Sequence, residues 1–324
     1  MAQINIFDRN ILNKIPEIKE WLGLYSRNSE NTRERIEKEI CVFFNSLGYE
    51  SLEQVANFKV GDVSKFYSAS AEQGWSNNTT NSYITTAKLF YKWANVNDII
   101  KPNNAIFTLK RLKNDAEPKY CPSREQMEVI LNTIKKHTKN IRLFLMIKLC
   151  IYTGLRRHEI CNLKIGDLME DKIRVEGKGS KIRFQPVRPD IITEIHEYIN
   201  SERKENMDKY IKMGGKDLGY VFVSGIGDIE SYSKKKKDLT SGNKVQDKAF
   251  YNQIKNICDK PEIEKGTKIS THTFRHFFGT TLYETTNDLA LTQEAMRHSD
   301  LSTTRRYVHL NEKRIQDALC NFSI

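Results

Sequence analysis

Apolar residues recur at three- and four-residue steps along most of the chain, and alternation with period two is confined to short runs in its second half. Ile11, Leu12, Ile15, Ile18 and Leu22 predict a helix over Asn10 to Tyr25. Ile36, Ile40, Phe43, Phe44 and Leu47 predict a second over Ser29 to Leu47, stopped at Gly48. LEQVANFK and VGDVSKFYSASAEQ read as two shorter helices with a turn at Gly61, and NNTTNSYITTAKLFYKWANVNDII as a longer one. That longer helix is expected to present Tyr83, Lys88, Tyr91 and Lys92 among its threonines. No repeat at a solenoid period is found.

Composition then shifts. Leu109 to Ser123 is charged, carries two prolines and lacks periodicity, which marks a linker lying against the same partner as the segments around it. After Ser123, a candidate N-cap, helices resume in EQMEVILNTIKKH and NIRLFLMIKLCIY, the latter ended by Thr153-Gly154, and then in LRRHEICNL. DKIRVEG and SKIRFQPV read as two strands of a hairpin whose turn holds Gly177 and Gly179. A helix from Asp190 to Glu205, a strand in YVFVS and a polar loop from Gly225 to Val245 containing KKKK follow. Helices are expected again at Phe250 to Cys258, from Ser270 to Glu284, in LALTQEAMRH and near Thr303 to Leu310. The pattern predicts a mainly α protein with a small β-sheet. Its domains would be a helical one over 1–112, a linker at 113–122 and a mixed α/β one over 123–324.

A formal net charge of +11 favours a polyanionic partner, nucleic acid ahead of an anionic membrane. No apolar run approaches the ~20 residues of a spanning helix, and the N-terminus does not read as a signal peptide. A cytoplasmic protein with no membrane partner is therefore expected. The six cysteines are scattered without a CxxC pair and read as reduced thiols, not disulfides or zinc ligands.

Candidate chemistry gathers around HTFRH. Phe274, Phe277, Phe278 and Leu282 recur as one buried face of that helix, leaving His272, Arg275, His276 and Gly279 on the other. A histidine and an arginine three apart can converge on one anion, although a solvated basic face has the same pattern. Arg156 and Glu159 are also three apart. The carboxylate could aim the guanidinium at a phosphate, or the two could form an ordinary surface pair. Lys178 sits at the tip of the glycine-flanked hairpin, where solvation and groove insertion are both open to it. His298 precedes LSTT, and Tyr307 lies among apolar neighbours, as a core tyrosine or a nucleophile would. His272 and His276 have metal-pair spacing, but the glutamate of HExxH is missing and Arg275 would repel a cation. No metal site is expected.

Taken in order, Arg156 in TGLRRHE, Lys178 in GKGSK, His272 and Arg275 in HTFRH, His298 in RHSD and Tyr307 in TTRRYVHL resemble the tyrosine recombinases, the phage-integrase and Xer-like family. The resemblance covers about 121–324. The N-terminal helices are similar to that family's core-binding domain in architecture only. It implies that Arg156 and Arg275 clamp a scissile phosphate, that Tyr307 attacks phosphorus to give a 3′-phosphotyrosyl link, and that Lys178 protonates the leaving 5′-oxygen. His272 would act as acid/base, His298 would hydrogen-bond the phosphate and Glu159 would brace Arg156. Lys88, Lys92, Lys181, Arg183 and Arg297 are further candidate DNA contacts.

No cofactor is implied, in keeping with the lack of a phosphate-binding GxxxxGK[ST] loop or an acidic metal cluster. The partners implied are double-stranded DNA and further copies of the chain, a dimer per site and a tetramer on synapsis. Ile315, Ala318, Leu319 and Phe322 form an apolar stripe suited to docking on a neighbour or on the protein's own core. Two departures stand out: the family usually has glycine where this chain has Arg297, and no separate arm-binding domain is apparent in the sequence. Arg297 could crowd the phosphate pocket or add a DNA contact. The function expected is site-specific DNA recombination, the alternative being a sequence-specific DNA-binding regulator on the same fold.

Overall fold

The computed structural model describes residues 7–113, 120–138, 141–177, 182–225, 242–267 and 269–297. The chain divides into two compact units, Met1–Glu117 and Pro118–Ile324. Both are mostly helical. β-structure among the described residues is one two-stranded sheet and a few isolated bridges. No described helix is long and apolar enough to cross a membrane.

The first unit contains helices Ile11–Lys14, Pro16–Gly23, Glu30–Leu47, Leu52–Ala56, Val60–Glu72 and Asn77–Val96. The single helix expected over residues 10–25 is two, because Pro16 has no N–H and forces Ile15 out of helical geometry (φ −130°, ψ 81°). Gly48 ends the third helix as expected, in a left-handed conformation with φ +70°. Gly61 does not make the turn foreseen there. It lies in the first turn of Val60–Glu72, whose start is capped by the Asp62 carboxylate accepting from the Lys59 amide at 2.8 Å.

Rings from several helices interlock at the centre of this unit. Phe90 meets Trp21 and Phe44 edge-on, each at 5.5 Å between centroids. Tyr83 and Tyr91, expected at the surface, are buried instead. The Tyr91 hydroxyl donates to the Val55 carbonyl at 2.9 Å, which lets a polar ring end sit inside. Glu39 is buried too. It accepts from Ser82 at 2.6 Å and Thr86 at 2.5 Å, and pairs with Arg35 at 2.7 Å, stitching Glu30–Leu47 to Asn77–Val96. Asn78, Thr85, Leu89 and Lys92 of the latter helix remain exposed.

Residues 109–113, read as linker, are held to that helix. Asn81 donates to the Leu112 carbonyl at 2.9 Å and accepts from the Leu112 amide at 2.7 Å. Asn77 donates to the Lys113 carbonyl at 2.8 Å, and the Lys88 ammonium donates to the Leu109 carbonyl at 2.6 Å. Burial pushes the Lys88 pKa down. The segment lacks periodicity because its order comes from side chains reaching its backbone and not from a buried stripe of its own.

The second unit is centred on helix Ile141–Thr153, in which Leu145, Met146, Ile147, Leu149 and Cys150 are all buried. Arg124–His137, Pro189–Tyr198 and Thr271–Thr286 pack on it, and Asp247–Cys258 packs on Arg124–His137. Ser123 and Ser270 cap their helices by accepting from the amides three residues on. Strands Lys172–Glu176 (β1) and Ile182–Pro186 (β2) pair antiparallel, with Arg174 opposite Phe184. The helix expected over 190–205 runs on through a π-helical turn, Ile199–Arg203, into Lys204–Lys212. YVFVS is not a strand. Tyr220 bridges to Lys164 and Val223 to Lys244. Val221 and Phe222, between the bridges, join the main core, and Val223 packs with Met207 and Tyr210.

Asn81→Ala removes both bonds to Leu112. Hydrogen exchange at the Leu112 amide should accelerate by roughly tenfold or more, with a loss of about 1–2 kcal/mol in stability. Exchange at wild-type rates would mean that something other than this clasp orders residues 109–113.

Candidate active site

The site grows from the end of helix Ile141–Thr153. The Thr153 hydroxyl turns back to the Leu149 carbonyl at 2.5 Å, and Gly154 adopts φ +61°. Only glycine suits this position. A Cβ there would lie 2.5 Å from Phe278 Cδ1 and 3.3 Å from Met296 Sδ. The turn aims the Gly154 carbonyl at Arg275 and starts the short helix Arg157–Asn162, with Arg156 at its N-cap.

Arg275 is buried and not on an exposed ridge, the reverse of the face expected for it. Gly279 is buried as well, whereas Phe277 and Phe278 are only half-buried. The reason is that helix Thr271–Thr286 packs on Ile141–Thr153 through a side that includes this arginine. Its guanidinium donates from one nitrogen to the Gly154 carbonyl and from the other to the Met296 carbonyl. Such a fork satisfies two buried acceptors with one rigid group.

Met296 is the last residue of helix Leu289–Met296. Arg297, next in the chain, takes φ +54°, the left-handed region that usually favours glycine and costs another residue ~1 kcal/mol. The Arg297 carbonyl lies 3.5 Å from Arg156 Nη2. Successive carbonyls at a helix C-terminus, where the peptide dipoles leave partial negative charge, therefore face the two arginines in turn.

Glu159 lies beneath this pair, its side chain only 1% exposed. It accepts from the Arg156 amide at 2.6 Å, from Arg297 Nη2 at 2.6 Å and from Arg156 Nη1 at 3.3 Å. Burial alone would raise its pKa. The Arg297 charge, the Arg156 amide and the Arg156 charge outweigh that and hold the carboxyl below its ordinary value. Burial pushes the Arg297 pKa down, opposed by Glu159 and reinforced by the nearby charges of Arg156 and Arg183.

Arg156, Glu159, Arg275 and Arg297 are thus brought together, with Arg183, exposed on β2, close enough for its charge to be felt. Arg297 neither stands over the arginines nor reaches into solvent: its side chain is 8% exposed and turned onto Glu159. His272 lies exposed in the first turn of the helix that carries Arg275. Its neighbour His276 is half-buried, with Nδ1 3.3 Å from the Thr280 hydroxyl. Lys178, Lys181, His298 and Tyr307 lie outside the described residues, as do the apolar stripe 315–322 and most of the basic loop. Lys88 and Lys92 belong to the first unit, Lys88 engaged with carbonyls and Lys92 exposed.

Sequence reasoning missed the carbonyls of Gly154 and Met296 and the Glu159–Arg297 pair. It also left Arg35 and Arg111 unnamed. These two arginines line a groove of the first unit with Asn78, Ser82, Thr85 and Leu89. Thr153-Gly154 carried a usable signal, because a glycine ending a helix directs its carbonyl as well as stopping the turn.

Residues 123–314 match the phage integrase family, and residues 18–96 match its N-terminal SAM-like domain. The chain belongs to the phage integrase family. Among curated relatives, the tyrosine recombinase XerA of Pyrococcus furiosus is 28% identical over 80% of this chain and 79% of its own length. The tyrosine recombinase XerC of Anoxybacillus flavithermus is 25% identical over 92% and 93% respectively. Two solved structures share the fold: a XerH recombinase on a palindromic difH substrate after cleavage, and the Tn1549 transposon integrase with circular intermediate DNA. Each has a TM-score of 0.69, at 20% and 19% identity. The former covers 99% of this chain and 90% of its own, the latter 95% and 98%. Within this phage integrase family member, the family match spans every one of the candidate catalytic positions.

Gly154→Ala should be strongly destabilising. The left-handed backbone and the overlap with Phe278 together cost about 2–4 kcal/mol, read as a fall of several degrees in Tm. A Tm within a degree of wild type would mean that Phe278 can move aside and that the turn tolerates a side chain.

Proposed function

We propose that the chain is a tyrosine-type site-specific DNA recombinase that cuts and rejoins DNA through a 3′-phosphotyrosyl intermediate. One observation carries the reading: Arg156 and Arg275, distant in sequence, are held on adjoining carbonyls at the end of helix Leu289–Met296. Two guanidiniums gathered at one place suit the non-bridging oxygens of a phosphodiester, whose negative charge grows in the transition state. The names of the relatives support it further, since those proteins are tyrosine recombinases and one of the solved structures is a post-cleavage complex.

In this mechanism the Tyr307 phenolic oxygen attacks phosphorus and forms a P–O bond, while the bond from phosphorus to the 5′-oxygen breaks. His272 takes the phenolic proton as general base, and Lys178 supplies one to the departing 5′-oxygen. His298 donates to the phosphate. The phosphotyrosyl ester conserves the bond energy, so a 5′-hydroxyl can reverse the step without nucleotide or metal. Glu159 caps the Arg156 amide and so braces the backbone from which that side chain leaves the helix.

The partners in this reading are double-stranded DNA and further copies of the chain, a dimer on each site and a tetramer on synapsis, acting in the cytoplasm. Arg35, Arg111 and Lys92, with the exposed side of helix Asn77–Val96, supply a basic and polar surface for DNA. Arg183 and Lys181 would contact it from the second unit.

The test is a nicked suicide duplex carrying the cognate site, in which the cleaved end diffuses away. Wild type should give a covalent protein–DNA adduct that survives denaturing electrophoresis, and Tyr307→Phe should give none. Tight binding without an adduct from either would replace the recombinase reading with that of a DNA-binding regulator.

A further inference from the structure

Glu159 has two cationic suitors, and they do not share it equally. Arg297 Nη2 lies 2.6 Å from Oε2, whereas Arg156 Nη1 lies 3.3 Å from Oε1. The Arg297 side chain is 8% exposed and the Glu159 side chain 1%, so their contact is almost wholly removed from water. The Arg156 side chain is 37% exposed, and its guanidinium makes only long contacts, 3.3 Å to Glu159 and 3.5 Å to the Arg297 carbonyl. Arg297 keeps this place despite a left-handed φ of +54°, which a glycine would occupy without strain.

We propose that Arg297 is a positioning residue that satisfies the Glu159 carboxylate in place of Arg156, and thereby keeps the Arg156 guanidinium available to a phosphate. A buried carboxylate deprived of its short charge-assisted partner draws in whatever cation is near. Here that cation is Arg156, already within 3.3 Å of the carboxylate. Once drawn in, the fork that would face a phosphate is spent on Glu159. Arg297 therefore acts on the anion without touching it.

The inference rests on the strand-cleavage reading only in taking Arg156 as a phosphodiester ligand, and its test does not require cleavage. The full-length chain is titrated with inorganic phosphate, and the rise in Tm is followed for each variant against its own phosphate-free baseline. Arg297→Met should raise the half-saturating phosphate concentration by about tenfold, the loss of one good charge-assisted contact. Glu159→Gln combined with Arg297→Met should bring it back to within about twofold of wild type, because an uncharged amide no longer competes for Arg156.

Arg297→Gly removes the same charge while relieving the backbone, and should reproduce the Arg297→Met result if that variant folds poorly. A phosphate response in Arg297→Met and Arg297→Gly equal to wild type would overturn the proposal. So would a loss that the Glu159→Gln partner fails to restore, which is the behaviour of a simple tether between helices. A response that survives Arg156→Ala would overturn it as well. Failure of the recombinase reading shows separately, as the absence of a covalent adduct from the wild type.

Discussion

The buried guanidinium of Arg275 is the constraint on which the second unit's geometry depends. It joins the carbonyl of Gly154, at the end of the central helix, to the carbonyl of Met296, at the end of another. A buried arginine cannot shed its charge, so both acceptors must stay in place or the charge is stranded. Gly154 is pinned from the other side by Phe278 and by its backbone angle. Three chain segments distant in sequence are thereby fixed around one planar group. Arg156, two residues beyond Gly154, inherits that position, and Glu159 anchors its backbone by accepting from its amide.

Electrostatics at this place are arranged in layers. The lowest is the buried carboxylate of Glu159, held ionised by the charges around it. Above it are guanidiniums and the carbonyl ends of a helix, and Arg183 adds positive potential from β2. Removing any one cation changes what the others can do, because the buried carboxylate takes the nearest replacement. Interactions of this kind are not additive, and single substitutions will overstate or hide individual contributions.

Much of this was legible in the chain of letters. Ser123, Ser270 and Gly48 announced helix ends through local hydrogen bonding, and those ends lie where the caps put them. Arg156 and Arg275 were expected at one site from their motifs, and both lie by carbonyls at the end of helix Leu289–Met296. Local rules failed where a distant neighbour decided the outcome. Arg275 looked solvated because its partners are carbonyls, which a residue pattern does not display. Tyr91 looked exposed because the Val55 carbonyl that receives its hydroxyl lies on another helix. Residues 109–113 read as linker because Asn81 and Asn77 order them from outside. Pro16 is the opposite case, a local signal sufficient to break the first helix.

The division of labour along helix Asn77–Val96 bears on which of its positions are free to vary. Ser82 and Thr86 are locked into the carboxylate of Glu39, so altering them would disturb the packing of two helices. Asn78, Thr85, Leu89 and Lys92 form a separate stripe with no such duty. Evolution, or a combinatorial library, has there a small alphabet of positions whose side chains can change while the fold stands still.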